Sequence, residues 1–381
     1  MRADPGTLQN RSRMNRAATT VPESSTTTKK MNPRASLRER RVTETAMTIE
    51  IIVGLPHLNR GPLLERAIKR GYPVLISANA LSRWDRREGY PRWMGWKLRP
   101  LANASDLVSI DLDSAGFVAA RHYGGLPWTV DDYIALAASY PFRRFASLDL
   151  CTEAEIARDR DEVLDRIART IALNHACHAR AADRGIDTRL MPVIQGRRPD
   201  DYLRCLDGIA GILRPGMIVG VGSMCRREVF GPEGLLAVLS ALDRVADPEL
   251  RFHAFGVKGT ALRYLRPLAH RVASIDSCAY GLAARIEAWR EGFSKTDDFV
   301  ADHMERWQDR QQARLAQGDT GFQHHLPLVP QQSPGGSAWD TAIALARTQI
   351  RALIEEGEIA HEQITAGWVA QWAMEILHSH D

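Results

Sequence analysis

The sequence predicts an α/β protein: a (β/α)8 TIM-type barrel with a C-terminal helical appendage and a disordered N-terminal tail. Three observations carry this. Eight short apolar or β-branched runs alternate with segments of helical character, the pattern of βαβ units. The runs are near-continuously apolar rather than alternating, which suits strands buried on both faces of a parallel sheet. Eight such units fill about 235 residues, the usual size of this barrel. An open doubly wound sheet is the alternative, weakened because no Gly-rich phosphate fingerprint follows the first run.

Taken in order, the runs are Ile49–Pro56, Val74–Leu81, Leu107–Ser114, Arg144–Cys151, Arg189–Gly196, Met217–Met224, Arg251–Lys258 and Ser274–Tyr280. Between them, Pro62–Arg70 places Leu63, Leu64, Ala67 and Ile68 at helical spacing. Thr129–Ser139 opens on an N-cap threonine with Asp131 and Asp132 in its first turn. Thr152–Arg184 opens T-E-A-E, a capping-box pattern, and Asp200–Leu213, Glu233–Val245 and Leu262–His270 follow. Residues 282–318 are polar and helix-prone, and 319–337 read as a Gly/Pro loop. Ala338–Glu356 and His361–His378 read as amphipathic helices, the second with Ile364, Trp368, Trp372 and Ile376 every four residues as a packing face. The expected division is therefore a tail over 1–46, a barrel over 47–281 and an appendage over 282–381.

The 381 residues hold 50 Lys+Arg against 46 Asp+Glu, a net charge of +4, with 44% hydrophobic residues. Such a composition excludes a wholly disordered, collagen-like or disulfide-scaffold protein. Ten of the basic residues and only four of the acids lie in residues 1–46, so the rest is slightly acidic. That Ser/Thr/Arg-rich segment reads as an over-extended start, with Met47 the expected initiator; a nucleic-acid arm or an organelle address is the other reading. No apolar run is long enough to span a membrane and no secretory signal is visible. The cysteines, Cys151, Cys177, Cys205, Cys225 and Cys278, are odd in number and widely spaced, which points to a reducing, cytoplasmic setting. His175, Cys177 and His178 read as a helix surface rather than a metal cluster, and His324-His325 is isolated.

In a barrel, chemistry sits where the strands end. The third run ends in Asp111, Asp113 and Ser114, the fourth in Asp149 and Cys151, the fifth in Gln195 and Gly196. The sixth ends in Gly220, Gly222 and Ser223, the seventh in His253, Gly256 and Lys258, the eighth in Asp276 and Ser277. Three carboxylates, Asp113, Asp149 and Asp276, would converge on one mouth, and acids at apolar strand ends are costly unless employed. They could bind a divalent metal, run nucleophilic and acid/base chemistry, or accept from the donor edge of a purine.

The ordered segments LDSAGF (112–117), FASLDLCT (145–152), PVIQG (192–196), VGVGS (219–223), FHAFGVKG (252–259) and SIDSCAY (274–280) carry a resemblance. Over roughly residues 49–281 the chain resembles the tRNA-guanine transglycosylase superfamily, nearest its DpdA-like branch, the deazapurine DNA modification protein A family. The resemblance implies a base exchange. Asp276 would be the nucleophile at C1′ of the target guanosine and Asp113 the general acid/base. Ser114, Asp149, Gln195, Gly196, Gly222 and Ser223 would hold the base, and Phe255 would cover it. Two features depart from the tRNA enzymes: no cysteine follows Cys278, so their zinc site is not written here, and their D-C-V-L-P-T-R run is replaced by DSCAYG. Both favour DNA over tRNA as the partner. The resemblance further implies a 7-deazaguanine free base such as preQ0 as the second substrate, no metal or redox cofactor, and partner proteins of a DNA-modification system.

The segment Arg83–Arg99 interleaves Arg83, Arg86, Arg87, Arg92 and Lys97 with Trp84, Trp93 and Trp96. Cations neutralise phosphates and aromatic faces stack on unpaired bases, so these eight are candidate nucleic-acid contacts. A loop whose tryptophans cap the barrel is the equal alternative. For the whole chain the rivals are tRNA as substrate, a non-catalytic nucleic-acid-binding barrel subunit, and a metal-dependent hydrolase using the three aspartates.

Overall fold

The computed structural model describes residues 48–88, 90–225, 227–317, 337–355 and 366–378. The basic tail with Met47, the His324-His325 pair and nearly all of the 319–337 loop lie outside them. The strands are β1 (Glu50–Leu55), β2 (Val74–Ser77), β3 (Ser82–Asp85), β4 (Arg92–Trp96), β5 (Ile110–Asp113) and β6 (Arg144–Ala146). They continue with β7 (Leu190–Met191), β8 (Val193–Ile194), β9 (Ile218–Val221), β10 (Arg251–Ala254) and β11 (Val272–Ser277). All but β3 and β4 pair in parallel in the order β7-β6-β5-β2-β1-β11-β10-β9-β8. Each of the eight predicted runs contributes.

The two edges of that sheet are halves of one run. Pro192, which has no N–H to donate, separates β7 from β8. The first half pairs with β6 (Ala146 opposite Met191) and the second with β9 (Val193 opposite Gly220). The barrel closes across the split strand. Ser147 and Asn174 bridge it: the Val193 N–H donates to Ser147 Oγ (2.9 Å) and Asn174 Oδ1 (3.0 Å), and Asn174 Nδ2 donates to the Val193 carbonyl at 2.8 Å. Side chains alternate as the pleat demands. Ala146, Met191 and Val193 form a small cluster of their own, whereas Phe145, Leu190 and Ile194 join the large core shared with the helices.

Helices Pro62–Arg70, Val130–Ala138, Pro199–Gly208 and Leu235–Val245 fall where predicted. Thr129 accepts from the Asp132 N–H (3.1 Å) while the Asp132 carboxylate accepts from the Thr129 N–H (3.0 Å), a closed capping box. The helix expected over Leu262–His270 is α-helical only at Leu262–Leu265, where Pro267 follows, and three other segments differ from expectation. The long helix runs Arg160–Asp183, not from Thr152, because Asp159 caps it by accepting from the Glu162 N–H at 2.8 Å. Residues 152–159 are thereby released, and the Thr152 N–H donates to Ser223 Oγ at 2.8 Å instead. A helix that the sequence reading passed over, Gly116–Tyr123, follows β5. The Arg83–Arg99 segment is an antiparallel hairpin, β3 against β4, with Trp84 opposite Trp93 and Asp85 opposite Arg92.

Beyond β11, helix Ala279–Arg290 leads to Asp297–Gln317. The latter contributes Val300, Ala301, Met304 and Trp307 to the barrel core, and Gln308 donates to the Ile51 carbonyl. Part of the segment read as appendage thus helps to build the barrel. Ala338–Glu355 and Ala366–His378 form a second cluster on Ala283 and Ile286, where buried Trp372 donates to Gln349 at 2.8 Å. Of the predicted packing face, Ile364 and the Trp368 and Ile376 side chains lie outside the described residues. Among the described residues, no helix is long and apolar enough to cross a membrane.

Candidate active site

A pocket opens at the C-terminal ends of the strands. Asp113, Asp149, Gln195, Gly222, Ser223, Phe255 and Asp276 all line it, together with Leu75, Gly116, Phe117, Cys151, Glu153, Met224 and Cys225. The three aspartates arrive on β5, on the loop after β6 and on β11, so the fold brings together what sequence order keeps apart. Ser114 stands one step back, donating to Asp149 Oδ1. Gly196, like Ser114, is an expected base-holding residue that does not line the pocket. Its carbonyl accepts from Arg227 at 2.9 Å, and a Cβ there would strike Asp201 and Tyr202. Gly196 therefore serves the packing of helix Pro199–Gly208 on the strand end.

Asp149 is held on both oxygens, by Ser114 on Oδ1 and by Gln195 Nε2 on Oδ2. Gln195 Oε1 in turn faces the Ser223 hydroxyl at 2.6 Å, and that hydroxyl lies 2.9 Å from Glu153 Oε2. A serine has one proton to give. Both contacts are satisfied when Glu153 carries a proton, and burial does push the Glu153 carboxyl above its usual range. The chain Glu153 to Ser223 to Gln195 to Asp149 then has one direction, and it ends on an acceptor carboxylate facing the pocket.

Asp113 is the most perturbed acid with a stated value. Burial first, then the charges of Asp149 and Asp276, push its pKa up to about 7. Its Oδ2 accepts from the Ala115 N–H at 3.0 Å. Burial pushes Asp149 up to about 6, against the pull of its Ser114 and Gln195 hydrogen bonds. Like charges in a desolvated site cannot all ionise, so at neutral pH the pocket retains a proton. Asp276 Oδ1 accepts from the Gly256 N–H at 2.9 Å and lies 3.3 Å from His253 Nε2. Among the described residues no three His, Cys, Asp or Glu side chains are grouped so as to hold a metal ion. Ala115 (φ 66) and Ser223 (φ 54) are non-glycine residues in the left-handed region, and both sit on the pocket wall. Strain of this kind gathers at functional sites.

Other strand-end polar groups have structural duties. Asp111 is pinned by Arg143 and Arg144; burial works to raise its pKa, but their hydrogen bonds and charge hold it below the usual carboxylate range. Lys258 faces Glu228 at 3.8 Å and is absent from the lining. Glu153 is the lining acid that the sequence reading missed, because its T-E-A-E context passes for a helix cap. Arg227 was also missed. It stitches the loops after β8 and β9, donating to the Arg197, Gly196 and Ser223 carbonyls and to Tyr202.

Gly222 makes a testable point. A Cβ at this position would run into the Gln195 amide. Since that amide is fastened to Asp149 and Ser223, it can yield only by breaking the chain. Gly222→Ala should therefore cost about 2 kcal/mol of stability, the worth of a buried hydrogen bond to a charged group. Denaturant unfolding of both proteins measures this.

The hairpin leans on the site from outside: Trp84 stacks on Tyr123 (centroids 4.1 Å, 25°), the last residue of the helix whose first turn lines the pocket. The tryptophans are largely spoken for. Trp93 and Trp96 pack edge to face at 4.9 Å, both meet Trp128, and Trp96 Nε1 donates to the Asp132 carbonyl at 2.9 Å. Their rings pack as the capping alternative has it, and all three remain partly exposed. The cations divide: Arg87 is held by Asp85, and Arg83 donates to the Met94 carbonyl. Arg83, Arg86, Arg87, Arg92 and Lys97 are all exposed along the hairpin.

A family model described as DeoxyPurine in DNA protein A (DpdA) matches residues 83–329, close to two thirds of the chain. The chain belongs to the DpdA family. The matched span starts at the hairpin, takes in every acid of the pocket and runs past β11. DpdA membership makes this a protein of deazapurine DNA modification, with DNA as its macromolecular partner. No curated protein matches the chain.

Proposed function

We propose that the protein exchanges guanine in DNA for a 7-deazaguanine base, of the preQ0 type, through a covalent aspartyl-glycosyl intermediate. The observation that carries this reading is the convergence of Asp113, Asp149 and Asp276 on one pocket from β5, the loop after β6 and β11. Glycosidic cleavage passes through an oxocarbenium-like state that a carboxylate both stabilises and captures. In the proposed first step, Asp276 bonds to C1′ as the C1′–N9 bond breaks, and the electron pair leaves with guanine. Asp113, protonated near neutrality, supplies the proton the leaving base needs. Asp149 accepts from the N–H edge of the base, its acceptor role fixed by Ser114 and Gln195. In the second step the incoming base returns a proton to Asp113 and displaces Asp276, so two inversions retain the anomeric configuration. This chemistry calls for no metal and no redox cofactor.

The target nucleotide must leave the stack to reach such a pocket. The exposed cations Arg83, Arg86, Arg92 and Lys97 are proposed to hold flanking phosphates, with the tryptophans bracing the hairpin beneath them. Nucleoside mass spectrometry of DNA and tRNA from cells expressing the protein with a source of the base tests the substrate. A 7-deazaguanine deoxynucleoside in DNA alone is expected; the modified nucleoside in tRNA alone, or in neither, refutes the proposal.

A further inference from the structure

His253 is fully buried on β10, beside β11, and it is absent from the scheme above. Register places it opposite Ser274, with Asp276 two residues further along and on the same face. Its Nδ1 lies 2.8 Å from Ser274 Oγ, and its ring packs edge-on to Phe255 with centroids 4.5 Å apart. Nε2 is buried without an aligned hydrogen bond, and Asp276 Oδ1 stands 3.3 Å away. An apolar side chain could fill this space without the cost of desolvating a polar ring. The polarity of the ring therefore has a use, and the Asp276 carboxylate is the charged group that stands beside Nε2.

We infer that His253 is a positioning residue that, with the Gly256 N–H, fixes Asp276 Oδ1 and so presents Oδ2 to the sugar; this rests on Asp276 being the nucleophile. The Ser274 hydroxyl donates to Nδ1, which places the ring proton on Nε2, beside Oδ1, where a small turn of the ring completes the contact. As Oδ2–C1′ forms and C1′–N9 breaks, the Nε2–H contact keeps the carboxylate in line and gives up no proton. In the second displacement the ester C1′–Oδ2 bond breaks, charge returns to the carboxylate, and the same donor stabilises it as a leaving group.

The test uses the full-length protein, a DNA oligonucleotide with an unpaired guanine, and 7-cyano-7-deazaguanine. Single-turnover guanine release gives the rate of glycosyl-enzyme formation, and steady-state exchange gives the KM for the base. His253→Phe should lower the rate by roughly 10- to 100-fold while the KM for the base stays within about threefold. His253→Asn, too short to reach Asp276, should fall equally; His253→Gln, whose amide reaches the Nε2 position, should stay within about fivefold of wild type. The Asn and Gln variants differ by one methylene, so the comparison holds even if the Phe variant misfolds. Wild-type rates in the Asn variant, or a Gln variant as slow as Asn, overturn the inference. With Asp276→Asn inactive, such results overturn it alone; an active Asp276→Asn overturns the parent reading and this inference together.

Discussion

Asp276→Asn is expected to abolish incorporation of the deazaguanine base, a loss of at least about 10,000-fold, while the protein keeps its fold and its affinity for DNA. Asn is close to isosteric, and its amide oxygen can still accept from the Gly256 N–H that now meets Oδ1. What it lacks is the anionic oxygen that must bond to C1′. Since the side chain is nearly buried at the end of β11, a larger substitution would confound folding with chemistry, whereas Asn isolates the chemistry. Circular dichroism and a melting curve verify the fold; mass spectrometry of nucleosides from treated DNA reads the activity.

The second large effect is at Asp113. Removing the group that moves the proton, by Asp113→Asn, should slow guanine release by about 100- to 10,000-fold at neutral pH. The pH dependence carries more information than the magnitude. Burial and two neighbouring carboxylates raise the Asp113 pKa to about 7. As the proposed acid of the first step it must be protonated, so the rate of guanine release should be flat at lower pH and fall as pH rises through about 7. That alkaline limb should vanish from what remains in the Asn variant. Stability follows the same proton. Between the ordinary carboxyl value of 3.8 and about 7, the folded protein binds a proton that the unfolded chain has released. Folding stability is therefore lost as pH rises across that window, by an amount on the order of a few kcal/mol. Asp113→Asn, which cannot ionise, should melt above wild type at pH 8, and the difference should close towards pH 4.

Much of this was legible in the sequence, for physical reasons. A parallel barrel buries both faces of every strand, so its strands announce themselves as apolar runs, and each run's polar end marks the mouth. Asp113, Asp149, Gln195, Ser223 and Asp276 could be placed on that basis. Glu153 could not, because T-E-A-E satisfies a capping rule locally while Asp159 caps the helix in fact. Nor could the hairpin: Trp84, Trp93 and Trp96 were equally compatible with base stacking and with capping, and their contacts with Trp128 and Tyr123, distant in sequence, are tertiary. Gly196 shared the signature of its neighbours, and helix Pro199–Gly208 closing over it is a tertiary fact. His253 stood among the strand-end residues, but its partner lies on the next strand, across a gap that no single-strand pattern reveals.

The account turns on a covalent bond between Asp276 and deoxyribose. The most direct measurement is intact-protein mass spectrometry after incubation with an oligonucleotide bearing an unpaired guanine, with the incoming base withheld and the reaction quenched in acid. A species equal to protein plus oligonucleotide minus one guanine, mapped to Asp276 by peptide analysis and lost in Asp276→Asn, is the predicted result. Guanine release with no adduct, or an adduct that persists in Asp276→Asn, would contradict it.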